Sequence, residues 1–218
     1  MRNKFDMQLE ILNEQLTHMG ELCELAINRV TKALVEGSVE QAKKIMNADE
    51  SIDQMEKDIE RLCLKLLLQQ QPVARDLRQI SAALKMITDM ERIGDQTADI
   101  AEIIISAGMS EAGDVKKIEE MSAGVAKMVN DSVSAYVDRD LELARNVIDA
   151  DDRIDALFDE IRTKVINLIA EGNRGEQGVD LIMIAKYLER IGDHATNIAE
   201  WVEFSITGIH KGMQTVES

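Results

Sequence analysis

The sequence predicts an all-α protein made of two tandem three-helix bundles, with six long helices related by pseudo-twofold symmetry. Three observations lead to this fold class. Apolar residues recur at steps of three and four residues along nearly the whole chain, which is the helical period. The 218 residues include one proline and 3% aromatic residues, a composition that favours long helices over strands. Two motifs also occur twice, in the same order.

Short breaks in the apolar pattern separate three helices in the first half. Gly37 and Ser38 interrupt the pattern once. Pro72 marks the start of the third helix, because proline is tolerated in a first helical turn and not in a helix interior. Two glycines within residues 107–113 indicate the loop that follows. The predicted helices cover residues 3–36, 39–70 and 72–106.

The second half shows the same arrangement. Asp138, Arg139 and Asp140 indicate a turn between its first two helices, and the two glycines of the run 172–175 indicate the next turn. The predicted helices run from Asp114 to about Tyr136, from the first turn to Ala170, and from about Gln177 to Ile206. Because the connections are short, consecutive helices should lie antiparallel.

Two repeated motifs relate the halves. Residues 47–53 match residues 149–155 at an offset of 102, and Glu-Arg-Ile-Gly-Asp occurs at 91–95 and again at 189–193, at an offset of 98. The four-residue difference falls in the link between the second and third helices of each half. One helix-helix-helix unit therefore occurs twice. The predicted units are residues 1–107 and 108–218.

Carboxylates continue the core-facing lines of four helices. In the third helix, Leu84 and Ile87 lie on a line that Glu91 and Asp95 extend at 100° per residue, whereas the acids of a solvated face would lie opposite the apolar line. Aligned carboxylates repel one another and lose hydration in a groove, and a divalent or trivalent cation with oxygen ligands would offset that cost. The acidic lines are Asp49, Asp53, Glu56, Glu60; Glu91, Asp95, Asp99, Glu102; Asp151, Asp155; and Glu189, Asp193, Asn197, Glu200.

The acidic lines are also compatible with a solvated face or with ion pairing. A run of acids is often a solvated face, and Arg92 and Arg190 are placed to pair with the carboxylates. Asn197 stands where the first half has Asp99, and a neutral amide is a poorer ligand for hard cations. We therefore expect weaker metal binding in the second half. None of the three histidines is given a role, because His194 points away from the line of Glu189 and because His18 and His210 lie outside the repeated motifs.

The duplicated Glu-Arg-Ile-Gly-Asp motif, each copy followed by Ile-Ala-Glu, resembles the PhoU family, as does the run Gln-Pro-Val-Ala-Arg-Asp-Leu-Arg at 71–78. The resemblance covers essentially the whole chain. It implies two three-helix bundles, each holding metal on its surface, with iron or zinc as the first expectation and magnesium or manganese as alternatives. The implied ligands are Asp49, Asp53, Glu91, Asp95 and Asp99 in the first half, and Asp151, Asp155, Glu189, Asp193 and Asn197 in the second.

The same resemblance implies a negative regulator of phosphate uptake and of the phosphate-starvation response. Its expected partners are the ATPase subunit of a phosphate ABC transporter, a phosphate-sensing histidine kinase and a second copy of the chain as a homodimer. The net charge of -16 argues against nucleic acid as a partner. No apolar run approaches the length of a membrane span and no signal peptide is evident, so we expect a cytoplasmic protein without direct membrane insertion.

Catalysis is not expected. The sequence contains no nucleophile-base pair, glycine-rich phosphate loop or dinucleotide fingerprint. A carboxylate-bridged metal enzyme would need Glu-x-x-His pairs, but Gly94 and Gly192 occupy those positions after Glu91 and Glu189. A bare helical scaffold, with its acids paired to arginine or lysine, is the other alternative.

Overall fold

The computed structural model describes residues 2–69, 72–108, 115–172 and 175–210, and at residues 2–4, 47–49 and 69 it describes the backbone alone. All regular structure in these ranges is helical, which confirms the all-α fold class. The helices are α1 (Arg2–Glu36), α2 (Val39–Gln69), α3 (Ala74–Ala107), α4 (Lys116–Asp138), α5 (Leu141–Ala170) and α6 (Gly175–Thr207).

The six helices form two three-helix units that share one hydrophobic core. Helices α1, α2 and α3 pack together, as do α4, α5 and α6. Across the units α3 packs on α6 and α1 packs on α4, so these four helices form a central ring with α2 and α5 outside it. Buried side chains from both units belong to a single apolar cluster. The predicted pseudo-twofold arrangement of two bundles is confirmed.

The turns α1–α2 and α4–α5 have the same backbone geometry. Each has one residue in the left-handed region, Gly37 with φ 62° and Arg139 with φ 56°. The same two backbone hydrogen bonds close both turns. In the first turn, Gly37 N–H donates to the Leu34 carbonyl at 3.2 Å and Ser38 N–H to the Ala33 carbonyl at 2.9 Å. In the second, Arg139 N–H donates to the Tyr136 carbonyl at 3.4 Å and Asp140 N–H to the Ala135 carbonyl at 2.9 Å. Helix α5 then begins with Asp140 as its N-cap. The repeat seen in the sequence thus extends to individual turns.

Some helix boundaries differ from the sequence prediction. Pro72 precedes α3 instead of starting it, because the extended Val73 (φ −74°, ψ 164°) is the N-cap. Helix α4 ends two residues later than expected, at Asp138, and α6 begins two residues earlier, at Gly175. Most of the loop predicted at 107–113, the start of α4 predicted at Asp114 and part of the turn at 172–175 lie outside the described residues.

Within the part of the chain that the structure describes, none of the helices is apolar over a length that would cross a membrane.

Candidate metal-binding carboxylate clusters

The groove between α2 and α3 contains four carboxylates that we call the first acidic cluster: Asp53, Glu56, Glu91 and Asp95. Loss of water, followed by the charges of Asp95, Glu56 and Asp53, raises the pKa of Glu91, and nearby Arg92 opposes the rise. Burial raises the pKa of Glu56 as well, with Glu60 and Asp53 adding to it. Since acids on α2 act on an acid of α3, the two acidic lines face each other across the groove.

The groove between α5 and α6 contains the second acidic cluster, formed by Asp151, Asp155, Glu189 and Asp193. Burial, followed by Asp193 and Asp155, raises the pKa of Asp151. The pKa of Asp193 is raised by loss of water and then by Glu189, while Lys186 and His194 lower it. The pseudo-twofold therefore places one group of mutually repelling carboxylates in each half, at equivalent grooves.

Both clusters lie at the edge of the core, not inside it. The side chains of Glu91 and Asp95 keep 24% and 38% of their exposure, and Asp155 and Asp193 are exposed. The apolar line that leads into the first cluster is buried at Ile87, half-buried at Leu84 and exposed only at its far end, at Leu77. The prediction of core-facing carboxylates is therefore wrong in degree: the carboxylates that continue the apolar lines are half-buried or exposed, so they lose only part of their hydration.

Basic side chains compensate only part of this charge. Arg92 Nη1 lies 3.5 Å from Asp95 Oδ2 and Arg92 Nε lies 3.6 Å from Glu91 Oε2, which are long contacts by an exposed guanidinium and contribute little. In the second cluster Lys186 forms an ion pair with Glu189. Each cluster keeps an excess of carboxylates over the cations paired with it, so ion pairing accounts for only part of the arrangement.

The donor set suits a hard cation, but the side chains are not gathered around one point. Among the described residues, no three Asp, Glu, His or Cys side chains lie close enough together to hold a metal ion. The side chain of Asp49 is outside the described part. A bound cation would draw carboxylates of both helices inward by rotamer changes, which partly exposed side chains make readily. The metal assignment of the implied ligands stays a prediction.

Gly192 lets α5 approach α6 closely beside the second cluster. A Cβ placed on Gly192 would lie 3.3 Å from Ile154 Cγ2 and 3.6 Å from Asp151 Oδ1. The equivalent Gly94 is also buried in its helix. A glycine here therefore serves helix contact, and that contact is what places Asp151 against α6.

Asp99 and Asn197, which occupy equivalent positions, lie next to different neighbours at the α3–α6 interface. The pKa of Asp99 is raised by burial, Asp95 and Glu102 and is lowered by Arg190 of α6. Asn197 Nδ2 instead donates to Asp89 Oδ1 of α3 at 3.3 Å. A carboxylate at 197 would oppose Asp89, whereas the amide donates a hydrogen bond. The difference between the halves thus has a packing reason that is independent of any metal.

His194 has a structural role that the sequence did not indicate. Its Nδ1 lies 2.8 Å from Asp89 Oδ1, with side-chain exposures of 23% for the imidazole and 16% for the carboxylate. His194 and Asn197 therefore share one acceptor across the α3–α6 interface. The expectation that the histidines are unimportant is wrong for His194, and no sequence pattern pairs residues of α3 with residues of α6.

Comparisons with known proteins agree on one family. The PhoU domain matches this chain twice, at residues 16–104 and 118–202. The chain belongs to the PhoU family. A relative from Clostridium acetobutylicum, named phosphate-specific transport system accessory protein PhoU homolog, is 38% identical over 95% of this chain and 96% of its own length. An Aquifex aeolicus protein of the same name is 37% identical over 86% of each chain.

Solved PhoU structures share the fold. The crystal structure of PhoU from Pseudomonas aeruginosa matches with a TM-score of 0.88 and 30% identity, covering 94% of this chain and all of that one. The phosphate transport system regulatory protein PhoU from Streptococcus pneumoniae matches with a TM-score of 0.89 and 26% identity, over 95% and 99% of the two chains. Each matched PhoU stretch contains one Glu-Arg-Ile-Gly-Asp motif, so both acidic clusters lie within the family's defining repeats.

Proposed function

We propose that this protein is a negative regulator of phosphate uptake and of the phosphate-starvation response, acting in the cytoplasm as a metal-binding adaptor between a phosphate ABC transporter and a sensor histidine kinase. The observation that supports a phosphate-transport role most directly is the PhoU match along both halves of the chain. Relatives that share nearly its full length are named phosphate-specific transport accessory proteins. Its acidic surface would direct it toward basic patches on its partners.

The two acidic clusters support the metal-binding part of the proposal. Each groove holds more negative charge than its neighbouring cations neutralise, and burial together with neighbouring acids raises the pKa of Glu91 and Asp151. A bound cation would remove this repulsion and join α2 to α3 and α5 to α6. Iron or zinc is the first expectation, and magnesium or manganese are alternatives with the same oxygen ligands.

A non-redox scaffold without metal is the second candidate. The ion pairs of Arg92 with Glu91 and Asp95, and of Lys186 with Glu189, favour it, because they replace part of what a cation would do. In either case we propose a protein without catalytic activity. A ferritin-like diiron enzyme would use histidines together with carboxylates as metal ligands. Among the described residues, no histidine joins carboxylates in a group of three that could hold a metal ion.

Deletion of the gene in its own organism tests the regulatory role. With phosphate plentiful, we expect phosphate uptake and a phosphate-starvation reporter to rise on deletion and to return to normal when the gene is restored. Tagged protein should also retain the transporter ATPase subunit and the kinase on a column. Unchanged uptake and an unchanged reporter after deletion would remove the regulatory proposal, whatever the column retains.

Metal analysis of protein purified without chelators tests the clusters. We expect Asp95→Ala to lose the metal of the first half and Asp193→Ala to lose less, because the second half carries Asn197. Asp58→Ala is the control, since Asp58 lies on α2 outside the first acidic cluster and pairs with Arg61. Equal metal content in the wild type and Asp95→Ala would remove the first site, and a metal-free wild type would favour the scaffold.

A further inference from the structure

Three arginines meet at one end of this strongly acidic molecule. Arg75 and Arg78 lie in the first turns of α3, and Arg139 lies in the α4–α5 turn. The Tyr136 hydroxyl donates to the Gln79 carbonyl at 2.9 Å, so a tyrosine side chain links the end of α4 to the start of α3. Arg139, three residues after Tyr136, lies near enough to Arg75 and Arg78 for their charges to act on it. We call these three residues the arginine cluster.

The charges of the arginine cluster are not neutralised within the described residues. None of its members forms an ion pair with a carboxylate there, and the Nε of Arg78 is buried without a hydrogen-bond partner. Partial burial, then Arg75 and to a smaller extent Arg78, lowers the pKa of Arg139, against an opposing effect of Tyr136. A Cβ on Gly208 would lie 3.6 Å from Arg78 Nη1, so the end of α6 borders the cluster. Buried donors without partners usually indicate an absent water or ion.

Arg139 occupies a backbone position that favours glycine. Its φ of 56° lies in the left-handed region, which costs a residue with a Cβ on the order of 1 kcal/mol. An offset of 102 places Arg139 opposite Gly37, which closes the equivalent turn with φ 62°. The first half therefore shows the unstrained solution, and the second half uses arginine in its place. The left-handed backbone gives no reason for arginine over glycine at position 139, so the reason must lie in the arginine side chain.

Among the residues that the structure describes, the equivalent end of the other half carries no such cluster. The offset of 98 places Glu176 opposite Arg78, and Gly37 stands opposite Arg139. The pseudo-twofold thus holds for backbone and turns but not for charge at the two ends. The Tyr136 hydroxyl is confined to the same end, because Leu34 stands opposite Tyr136 at the offset of 102.

We propose that Arg75, Arg78 and Arg139 form a binding site for a phosphate group or an equivalent doubly charged oxyanion. Guanidinium groups present paired N–H donors that match the oxygens of such anions. The first turn of α3 adds its positive dipole end, where the N-cap Val73 contributes no side-chain hydrogen bond. A doubly charged group is favoured because the attraction of three converging cations grows with the charge of the anion, and this local attraction has to exceed the repulsion from a net charge of -16. This site is separate from the acidic clusters and from the proposed regulation.

Calorimetric titration at constant ionic strength, in a chloride buffer, tests the site. The probes are inorganic phosphate, O-phosphoserine and acetate. We expect the wild type to bind inorganic phosphate or O-phosphoserine at concentrations below about 10 mM, and Arg78→Gln and Arg139→Gly to weaken that binding at least about tenfold. Arg153→Gln removes an arginine already paired with Glu120 and Glu160, and should leave binding unchanged.

The same variants distinguish a loss of binding from misfolding, and the same probes distinguish a free anion from a phosphorylated partner. Arg139→Gly should unfold at a temperature no lower than the wild type, because glycine suits the left-handed backbone, so its loss of binding would not reflect misfolding. Binding of inorganic phosphate indicates a free anion, and binding of O-phosphoserine alone indicates a phosphorylated partner; both support the site. Failure of both probes to bind, equal binding by Arg139→Gly, or acetate binding as tightly as phosphate would overturn it.

Discussion

Individual carboxylates of the two acidic clusters are held where their charged form is disfavoured. Glu91 on α3 and Asp151 on α5 each combine partial burial with nearby acids, and the pKa of each is raised. A raised pKa means that the folded protein binds the proton more tightly than the unfolded chain does. Stability must then fall as pH rises above the ordinary value, 4.5 for glutamate, until the raised value is passed. At neutral pH the full penalty is present.

Glu91→Gln should therefore stabilise the metal-free protein at pH 7. Removing the repulsion between Glu91 and Asp95, one turn apart, contributes about 0.5 kcal/mol, and the gain should shrink as pH falls toward 4.5. Urea unfolding in low salt with a chelator measures it. Glu40→Gln is the control. Lys44 lowers the pKa of Glu40, so removing the Glu40 charge should not raise the free energy of unfolding. A less stable Glu91→Gln protein at pH 7 would contradict this account.

Helices α3 and α6 depend on complementary polar groups where they cross. Asp89 of α3 accepts from Asn197, and its Oδ1 also lies 2.8 Å from His194 Nδ1. The carboxylate is largely buried, so its partners matter more than those of a surface acid. The structure explains the asparagine at 197 by its neighbour Asp89, which lies in the other half and needs a donor. Comparison of the two repeats in the sequence gives a different explanation, a weaker metal ligand in place of Asp99.

Asn197→Asp should destabilise the protein by about 1 kcal/mol or more, because two carboxylates would then face each other at hydrogen-bonding distance. Urea unfolding at pH 7 in the presence of a chelator gives the value. The swapped double variant, Asp89→Asn with Asn197→Asp, should recover much of the loss, and a double-mutant cycle gives the coupling. If Asn197→Asp is as stable as the wild type, Asp89 does not determine which residue is tolerated at position 197.

At the scale of the whole molecule, the two repeats share a core and should unfold together. Helix α1 meets α4 closely: a Cβ on Gly20 would lie 3.1 Å from Val133 Cγ2, and Thr31 forms a hydrogen bond with Ser122. Each half covers apolar surface of the other through α1–α4 and α3–α6. Separation of the units would expose both faces.

Gly20→Leu should lower the stability of both halves at once, by about 1–3 kcal/mol from overpacking at the α1–α4 contact. Trp201, the only tryptophan, reports the second half through fluorescence, and circular dichroism reports all helices. The two transitions should coincide and shift together. Gly175→Ala is the control, because a Cβ there meets nothing within 4 Å. A shift seen by circular dichroism but not by Trp201 would show that the halves unfold independently.

The sequence anticipated the helices and the repeat well, and the candidate site in part. Glu91 and Asp193 do lie in equivalent grooves, because helical spacing and the internal offset are enough to place them. Glu91 is half-buried and Asp193 is exposed, whereas core-facing positions were predicted for both, since a helical line shows which residues share a face and not how deeply a neighbour covers it. His194 and the arginine cluster were missed for a related reason: their partners belong to distant segments, and no linear motif links Arg78 to Arg139.

The sequence by itself determined six helices, their turns and the twofold repetition, because helical period, glycine in left-handed turns and proline near a helix start are local properties of the chain. Only the tertiary structure decided which faces meet. The antiparallel contact of α3 with α6 set Asp89 against His194, and the end of α4, linked to the start of α3 by the Tyr136 side chain, brought Arg139 near Arg75 and Arg78. Those pairings arise from burying apolar faces of both halves together, a long-range condition that fixes polar neighbours as a consequence.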